Sequence, residues 1–275
     1  MKRLGKRLLA GPYLIWMLLF TVVPLVLLVY NAFTGADGSF TFSNVAAILD
    51  PVNGKPFLRS IGMSLLVTVI CLVLSFPLAL ILRKCSSNKN SFIVMIFILP
   101  MWMNFMLRTL AWRLILLNNG ILNHVSTTLG FEKVHLMNTI WAVILGTVYD
   151  YLPFMVLPIY NALVKIDNDV IHAAQDLGAG QWTILRRIII PLSIPGVVSG
   201  ITMVMVPSIS EFVIASMLGG GKVYLIGNVI EQAFNSGYAD IHAGSGLSLS
   251  LMVLIVISMV IYRFFDGEEG ENSLW

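Results

Sequence analysis

Long, nearly uninterrupted apolar runs alternate along the chain with shorter polar stretches. A helix needs about 20 apolar residues to cross roughly 30 Å of hydrocarbon. The runs reach that length six times, at about 9–30, 61–82, 92–114, 139–164, 194–217 and 243–264. They predict an all-α membrane protein forming one transmembrane domain over residues 1–275. The first run follows the basic stretch Met1-Lys-Arg-Leu-Gly-Lys-Arg7 and ends at Val29-Tyr-Asn-Ala-Phe33. It is longer than the apolar region of a secretory signal and lacks a small-residue cleavage site, so it reads as an uncleaved span.

Composition supports this pattern. Hydrophobic residues make up 57% of the chain and charged residues 11%, and the mean hydropathy is +0.87. A soluble domain of this size needs more polar surface. The net charge of +3 does not point to nucleic acid, because the basic residues lie in short clusters beside apolar runs, with no stripe that could follow phosphates.

Their distribution sets an orientation instead. Lys2, Arg3, Lys6, Arg7, Arg83, Lys84, Lys89, Lys165, Arg186, Arg187 and Arg263 fall on one side of the six-span arrangement. Lys55, Arg59, Lys133 and Lys222 fall on the other, and Arg108 and Arg113 lie near the outer end of the third span. Both termini are therefore expected in the cytoplasm. The loops at about 33–60, 115–138 and 218–241 are expected to face outward.

Little in the chain points to chemistry of its own. Cys71 lies in an apolar run and Cys85 in a polar loop, which disfavours a disulfide between them and offers too few ligands for a metal. His124, His135, His172 and His242 lack ligand spacing. Gly221-Lys222 is not a nucleotide loop: Ser216 and Val223 occupy positions that require glycine and Ser/Thr. No nucleophile–base constellation is present, so no catalytic residue, cofactor or metal is assigned to this chain, and it is not read as an enzyme.

The spans carry features that need explaining. Pro24, Pro77, Pro100, Pro153, Pro158 and Pro207 interrupt them. Each removes a backbone donor that lipid cannot replace, which suits either a shape-changing pathway or a static bundle. Gly196-Val-Val-Ser-Gly200 is a small-residue stripe better suited to close helix packing than to substrate contact.

Two carboxylates are more pointed, because a charge at the bilayer centre costs about 2.5–3.5 kcal/mol on insertion scales. Asp150 lies about 12 residues into the fourth span, near mid-membrane. Glu211 lies deep in the fifth span. One reading places Asp150 and Glu211 along a cation path, with Trp102, Tyr149 and Tyr151 adding cation–π contacts. The other pairs Glu211 with Arg108.

The inner loop 165–192 reads as two short helices. Asn168 is a good N-cap, Asp169 suits a first turn, Ala173, Ala174 and Leu177 form an apolar face, and Gly178 stops the helix. A second helix carries Arg186 and Arg187 up to Pro191. The apolar ridge has no partner within the chain, so the loop asks for a partner protein.

His172-Ala-Ala-Gln-Asp-Leu-Gly178, nine residues, then Ile188-Ile-Ile-Pro191 resembles the cytoplasmic coupling-loop motif of bacterial ABC importer permeases. That motif is Glu-Ala-Ala, three residues, Gly, nine residues, Ile-x-Leu-Pro. His172 stands in place of the glutamate and Ile190 in place of the leucine. Through the resemblance, His172, Ala173, Ala174, Asp176, Leu177, Gly178 and Pro191 become the ATPase-coupling residues.

Pro100-Met-Trp-Met-Asn104 with Arg108, Tyr151-Leu-Pro-Phe-Met-Val-Leu-Pro-Ile-Tyr160 and Met217-Leu-Gly-Gly-Gly-Lys-Val-Tyr-Leu-Ile-Gly-Asn228 resemble the spermidine/putrescine permease family. That resemblance adds Asn104 to the expected substrate pathway. It implies a six-helix type I importer permease in a bacterial inner membrane, with polyamine cargo. It also implies a second homologous permease, two cytoplasmic ATPases that bind ATP and Mg, and an external substrate-binding protein. A same-fold permease for another solute and a stand-alone secondary transporter remain alternatives, although no inverted repeat is visible.

Overall fold

The computed structural model describes residues 11–86, 99–235 and 240–272. The basic stretch 1–7, the start of the third span (92–98), Lys89, and the side chains of Cys85, Pro100 and Arg263 lie outside the described residues. The chain forms helices α1 (Gly11–Ala32), α2 (Ser43–Ala46), α3 (Pro51–Ser86), α4 (Phe105–Leu116), α5 (Ile121–Thr128) and α6 (Ile140–Val164). It continues with α7 (Asn168–Asp176), α8 (Gln181–Ile209), α9 (Val213–Gly219), α10 (Ile226–Asn235) and α11 (Ile241–Asn272). A single isolated bridge, Thr34 to Phe40, is the β pairing among the described residues.

Among the described residues, α1, α3, α6, α8 and α11 contain stretches long and apolar enough to cross a membrane. The fourth span is found almost as expected: Thr139 caps α6 by accepting from the Ala142 amide at 3.4 Å.

Three expectations need correction. The third span is not one helix over 92–114. A 3₁₀ turn at Leu99–Trp102 is followed by a break at Met103–Asn104, and the Asn104 side chain caps a fresh helix through the amides of Met106 (2.9 Å) and Leu107 (3.4 Å). α4 alone, at ~18 Å, is too short to span. The fifth span likewise does not run unbroken from 194 to 217. α8 begins at Gln181, ends at Ile209, unwinds over 210–212 and restarts as α9. The second span starts ten residues early, at Pro51, as a polar extension bearing Lys55 and Arg59.

Two of the prolines act through local widening. π-turns at Leu18–Val22 and Leu185–Ile189 each end just before a proline, Pro24 and Pro191. Proline cannot donate to the carbonyl four residues back and its ring crowds it, so the ladder loosens there. Pro191 therefore does not end the second inner-loop helix. That helix is the first part of α8.

The chain's contacts divide it into two units. In the first, residues 11–57 and 229–256, α1 is exposed along its length apart from Ala32 and a few half-buried positions. His242 Nδ1 lies 3.2 Å from the Asn31 carbonyl and Ser250 Oγ donates to the Val45 carbonyl at 3.2 Å. Phe33, Phe40 and Phe42 form an aromatic cluster beside this loop.

In the second unit, α6 packs along α8 around a core that includes Met155, Ile159, Leu163 and Val204. Gly196 and Gly200 make this approach possible. A Cβ at Gly196 would lie 2.6 Å from both Ala162 Cβ and the Pro158 carbonyl, and one at Gly200 would lie 2.7 Å from Met155 Sδ. The stripe is a packing seam. Ser64 and Ser208 add a buried polar link between α3 and α8, with Oγ atoms 2.6 Å apart and Ser64 also donating to the Met205 carbonyl at 2.9 Å.

Gly196→Ala is expected to lower stability by ~1–3 kcal/mol, because the added methyl meets backbone that cannot move aside. Gly62→Ala, where a Cβ meets nothing within 4 Å, is expected to be neutral or stabilising by up to ~1 kcal/mol. Denaturant unfolding of the two purified variants in detergent measures both.

Candidate functional site

Two constellations carry the chain's distinctive chemistry: a buried charged cluster within the bundle and a helical knob at one end of it.

The cluster is built where the two helix breaks face α6. Asn104 starts α4, and one turn later Arg108 (8% exposed) forms a salt bridge with Asp150 (3% exposed) on α6. Thr109, also on α4, donates to Asp150 Oδ2 at 3.4 Å. The Arg108 guanidinium carbon sits 5.8 Å from the centroid of the Tyr149 ring, which itself meets Trp112 edge-on at 5.2 Å. On the other side of α6, Tyr151 donates its hydroxyl to Glu211 Oε2 at 3.0 Å. Glu211 Oε1 accepts from the Ile214 amide at 2.9 Å, so this carboxylate caps α9 where the fifth span restarts.

Arg108 thus pairs with Asp150, a partner that the sequence reading did not give it. Hydropathy bears on position along a helix, but not on the direction each side chain faces around its axis. The structure brings Asp150, Glu211, Tyr149 and Tyr151 together. It leaves Trp102 outside the cluster, 82% exposed on the 3₁₀ turn. Asn104 is engaged as a cap and is itself exposed. Tyr149's ring already faces a cation belonging to the protein. Thr109 and Trp112 belong to the cluster yet escaped sequence reasoning. Their spacing from Arg108, at i+1 and i+4, was the available signal.

The knob is α7 with its flanks. Its N-cap is Asp167, not Asn168: Asp167 has extended backbone and Oδ1 accepts from the Asp169 amide at 3.0 Å. Asn168 is used differently, because Arg83 Nη2 donates to its Oδ1 at 3.0 Å and to the Ile166 carbonyl at 2.8 Å. At the other end Gly178 takes φ +82. The Gly178 amide bonds the Gln175 carbonyl at 2.8 Å and the Ala179 amide bonds the Ala174 carbonyl at 3.0 Å. These two bonds close the helix with a left-handed glycine stop.

Leu177 projects 89% exposed beside exposed His172, Ala173 and Asp176, while Ala174 is half-buried. An apolar side chain so exposed at a helix end has little to pack on among the described residues. Pro191 sits beyond the knob in α8 and is exposed.

Such a bundle, with its glycine-stopped knob, defines a membrane transport subunit of the binding-protein-dependent kind. The chain belongs to that family: residues 82–268 match the binding-protein-dependent transport system inner membrane component. Among named relatives it is similar to the spermidine/putrescine transport system permease protein PotB of Haemophilus influenzae, 34% identical over 90% of this chain and 89% of that protein. PotB of Escherichia coli is also 34% identical, covering 90% and 92%.

Solved structures share the fold. A bacterial ABC transporter that imports the acidic polysaccharide alginate superposes with a TM-score of 0.66 at 18% identity, covering 95% of this chain and 97% of that one. The MetNI methionine ABC transporter gives 0.51 at 17% identity, covering 78% and 92%. The fold is that of a type I ABC importer permease.

Removing one partner of a buried ion pair costs ~3–5 kcal/mol because the other charge is stranded. Asp150→Asn is expected to destabilise the protein by about that amount, and Arg108→Gln in the same background to restore part of the loss. A double-mutant cycle on unfolding in detergent checks it.

Proposed function

We propose that this chain is the permease subunit of an importer for polyamines, and that its buried charged cluster lines the route of the cation. The observation that carries the reading is a net charge. One cation, Arg108, stands against two carboxylates, Asp150 and Glu211 (3% and 6% exposed), so the described residues of the cluster carry one formal negative charge in excess. Burying such a charge is costly unless a cation shares the site. A polyamine is an extended chain of ammonium groups that must shed water on the way through. A carboxylate, the Tyr151 hydroxyl and the aromatic rings beside it replace part of that hydration. The names of the PotB relatives support the same cargo.

The rest of the mechanism follows from the knob. Both termini and α7 face the cytoplasm, where two ATPase subunits bind ATP and Mg and receive the exposed face of α7. Nucleotide-driven closure of those subunits displaces α7, and α6 and α8 on either side of it carry the displacement to the cluster. The cavity then alternates between inward-facing and outward-facing states. Nucleotide drives this only by binding one state more tightly than the other. A second, homologous permease completes the pore, and an external binding protein delivers cargo. This chain supplies no hydrolytic chemistry, cofactor or metal of its own.

A second reading rests on one specific contact. Glu211 accepts from both Tyr151 and the Ile214 amide, so it could serve purely as the cap that holds a broken span together, in a permease of this fold for another solute. Spermidine uptake by the assembled transporter separates the two. Under the polyamine reading, Glu211→Gln and the double variant Arg108→Gln/Asp150→Asn each lower uptake at least tenfold while remaining inserted. Uptake unchanged by Glu211→Gln assigns the carboxylate to capping alone.

The knob has its own test. Leu177→Asp is expected to abolish co-purification with the ATPase subunits without changing membrane insertion. A cysteine in place of His172 is expected to resist a membrane-impermeant thiol reagent in intact cells and to react in inverted vesicles.

A further inference from the structure

A cleft of about 910 Å³ lies behind the knob. Its polar rim carries Arg83 and Lys84 at the end of α3, Asn168 and Gln175 on α7, and Gln181 and Trp182 at the start of α8. Its floor is apolar: Leu80, Val164, Leu185 and Ile189 come from the ends of the helices assigned to the membrane, and none of the lining residues is acidic. The rim therefore offers two fixed positive charges and an indole N–H, together with carboxamide groups that can donate.

The cleft lies on a different side of α7 from the exposed residues of the knob. Asn168, Ile171 and Gln175 line it at i, i+3 and i+7, one stripe of the helix. Ala173, Asp176 and Leu177 stand on another side and are exposed. The volume is far larger than an inorganic anion requires. The floor residues come from the ends of helices long and apolar enough to cross a membrane, and an exposed tryptophan beside basic residues is common at a membrane interface.

We propose that this cleft is a binding site for an acidic phospholipid. The phosphate lies between Arg83 and Lys84, with Trp182 and the carboxamides around the glycerol region and the first part of the acyl chains on the apolar floor. Basic pockets between the ends of membrane helices select anionic headgroups through charge and hold the chains through apolar contact. Zwitterionic lipid satisfies only the second requirement. Arg83 is already tied to Ile166 and Asn168, so a bound phosphate would rest against the same side chain that holds the knob. The site is independent of what the permease carries.

The test uses the purified full chain in detergent and lipids with brominated acyl chains, which quench nearby tryptophan. Brominated phosphatidylglycerol is expected to quench a component of the fluorescence that is missing in Trp182→Phe, at concentrations at least tenfold lower than brominated phosphatidylcholine. Lys84→Gln, a change at an exposed position, is expected to weaken the phosphatidylglycerol response about fivefold and leave the phosphatidylcholine response unchanged. Arg113→Gln, an exposed cation elsewhere on the chain, is expected to change neither. Equal responses to the two lipids would overturn the proposal, as would indifference to Lys84→Gln. Displacement of the lipid by millimolar inorganic phosphate would assign the cleft to a soluble anion instead, and so would also overturn it.

Discussion

Hydrocarbon offers no hydrogen bonds, and that constraint shapes every irregular point in this chain. A spanning helix can stop and restart only where something other than water pairs the freed amides and carbonyls. The third span restarts at Asn104, whose side chain takes two of the orphan amides. The fifth restarts after Ile209 with Glu211 taking another. Near that second gap Asn228 donates to the Phe212 carbonyl at 3.1 Å and to Ser216 Oγ at 2.8 Å, and accepts from the Leu225 amide. The polar residues of the bundle are thus first of all the groups that make broken helices tolerable.

That bond-satisfying work places the charges. Because α4 begins at Asn104, Arg108 lies in its opening turn, where the helix dipole disfavours a cation. Asp150, on a helix packed alongside, supplies the opposing charge. Glu211 is likewise fixed by capping α9, which holds its second oxygen toward Tyr151. One helix, α6, presents Tyr149, Asp150 and Tyr151 to the two breaks in turn. A buried cluster of charges and a framework of broken helices are built from the same few side chains.

Hydropathy made the bundle legible because lipid demands it over long windows. α6 could be bounded within a residue, since its run lies between a threonine cap and a lysine. The break in the third span was not legible: Asn104 is a single polar residue within an apolar window, and averaging hides it. Pro207 marked the fifth span as irregular, but the unwinding falls three residues later, where Glu211 can satisfy the new helix. The inner-loop helix was legible through its glycine, and only its cap was misplaced by one position, because Asp167 and Asn168 are equally good caps by residue type. Which acid Arg108 meets was beyond reach, since a lone sequence reveals depth but not azimuth. Arg83 entered the sequence reading only as one of many inner cations.

Arg83 sits near the C-terminal end of α3, far along the chain from α7, yet one of its nitrogens grips both the carbonyl of Ile166 and the side chain of Asn168. α7 is therefore joined to three rods at once: to α6 and α8 through the peptide chain, and to α3 through this clasp. The stiffness of the knob's attachment is thus set partly by a residue that lies outside the motif naming the loop.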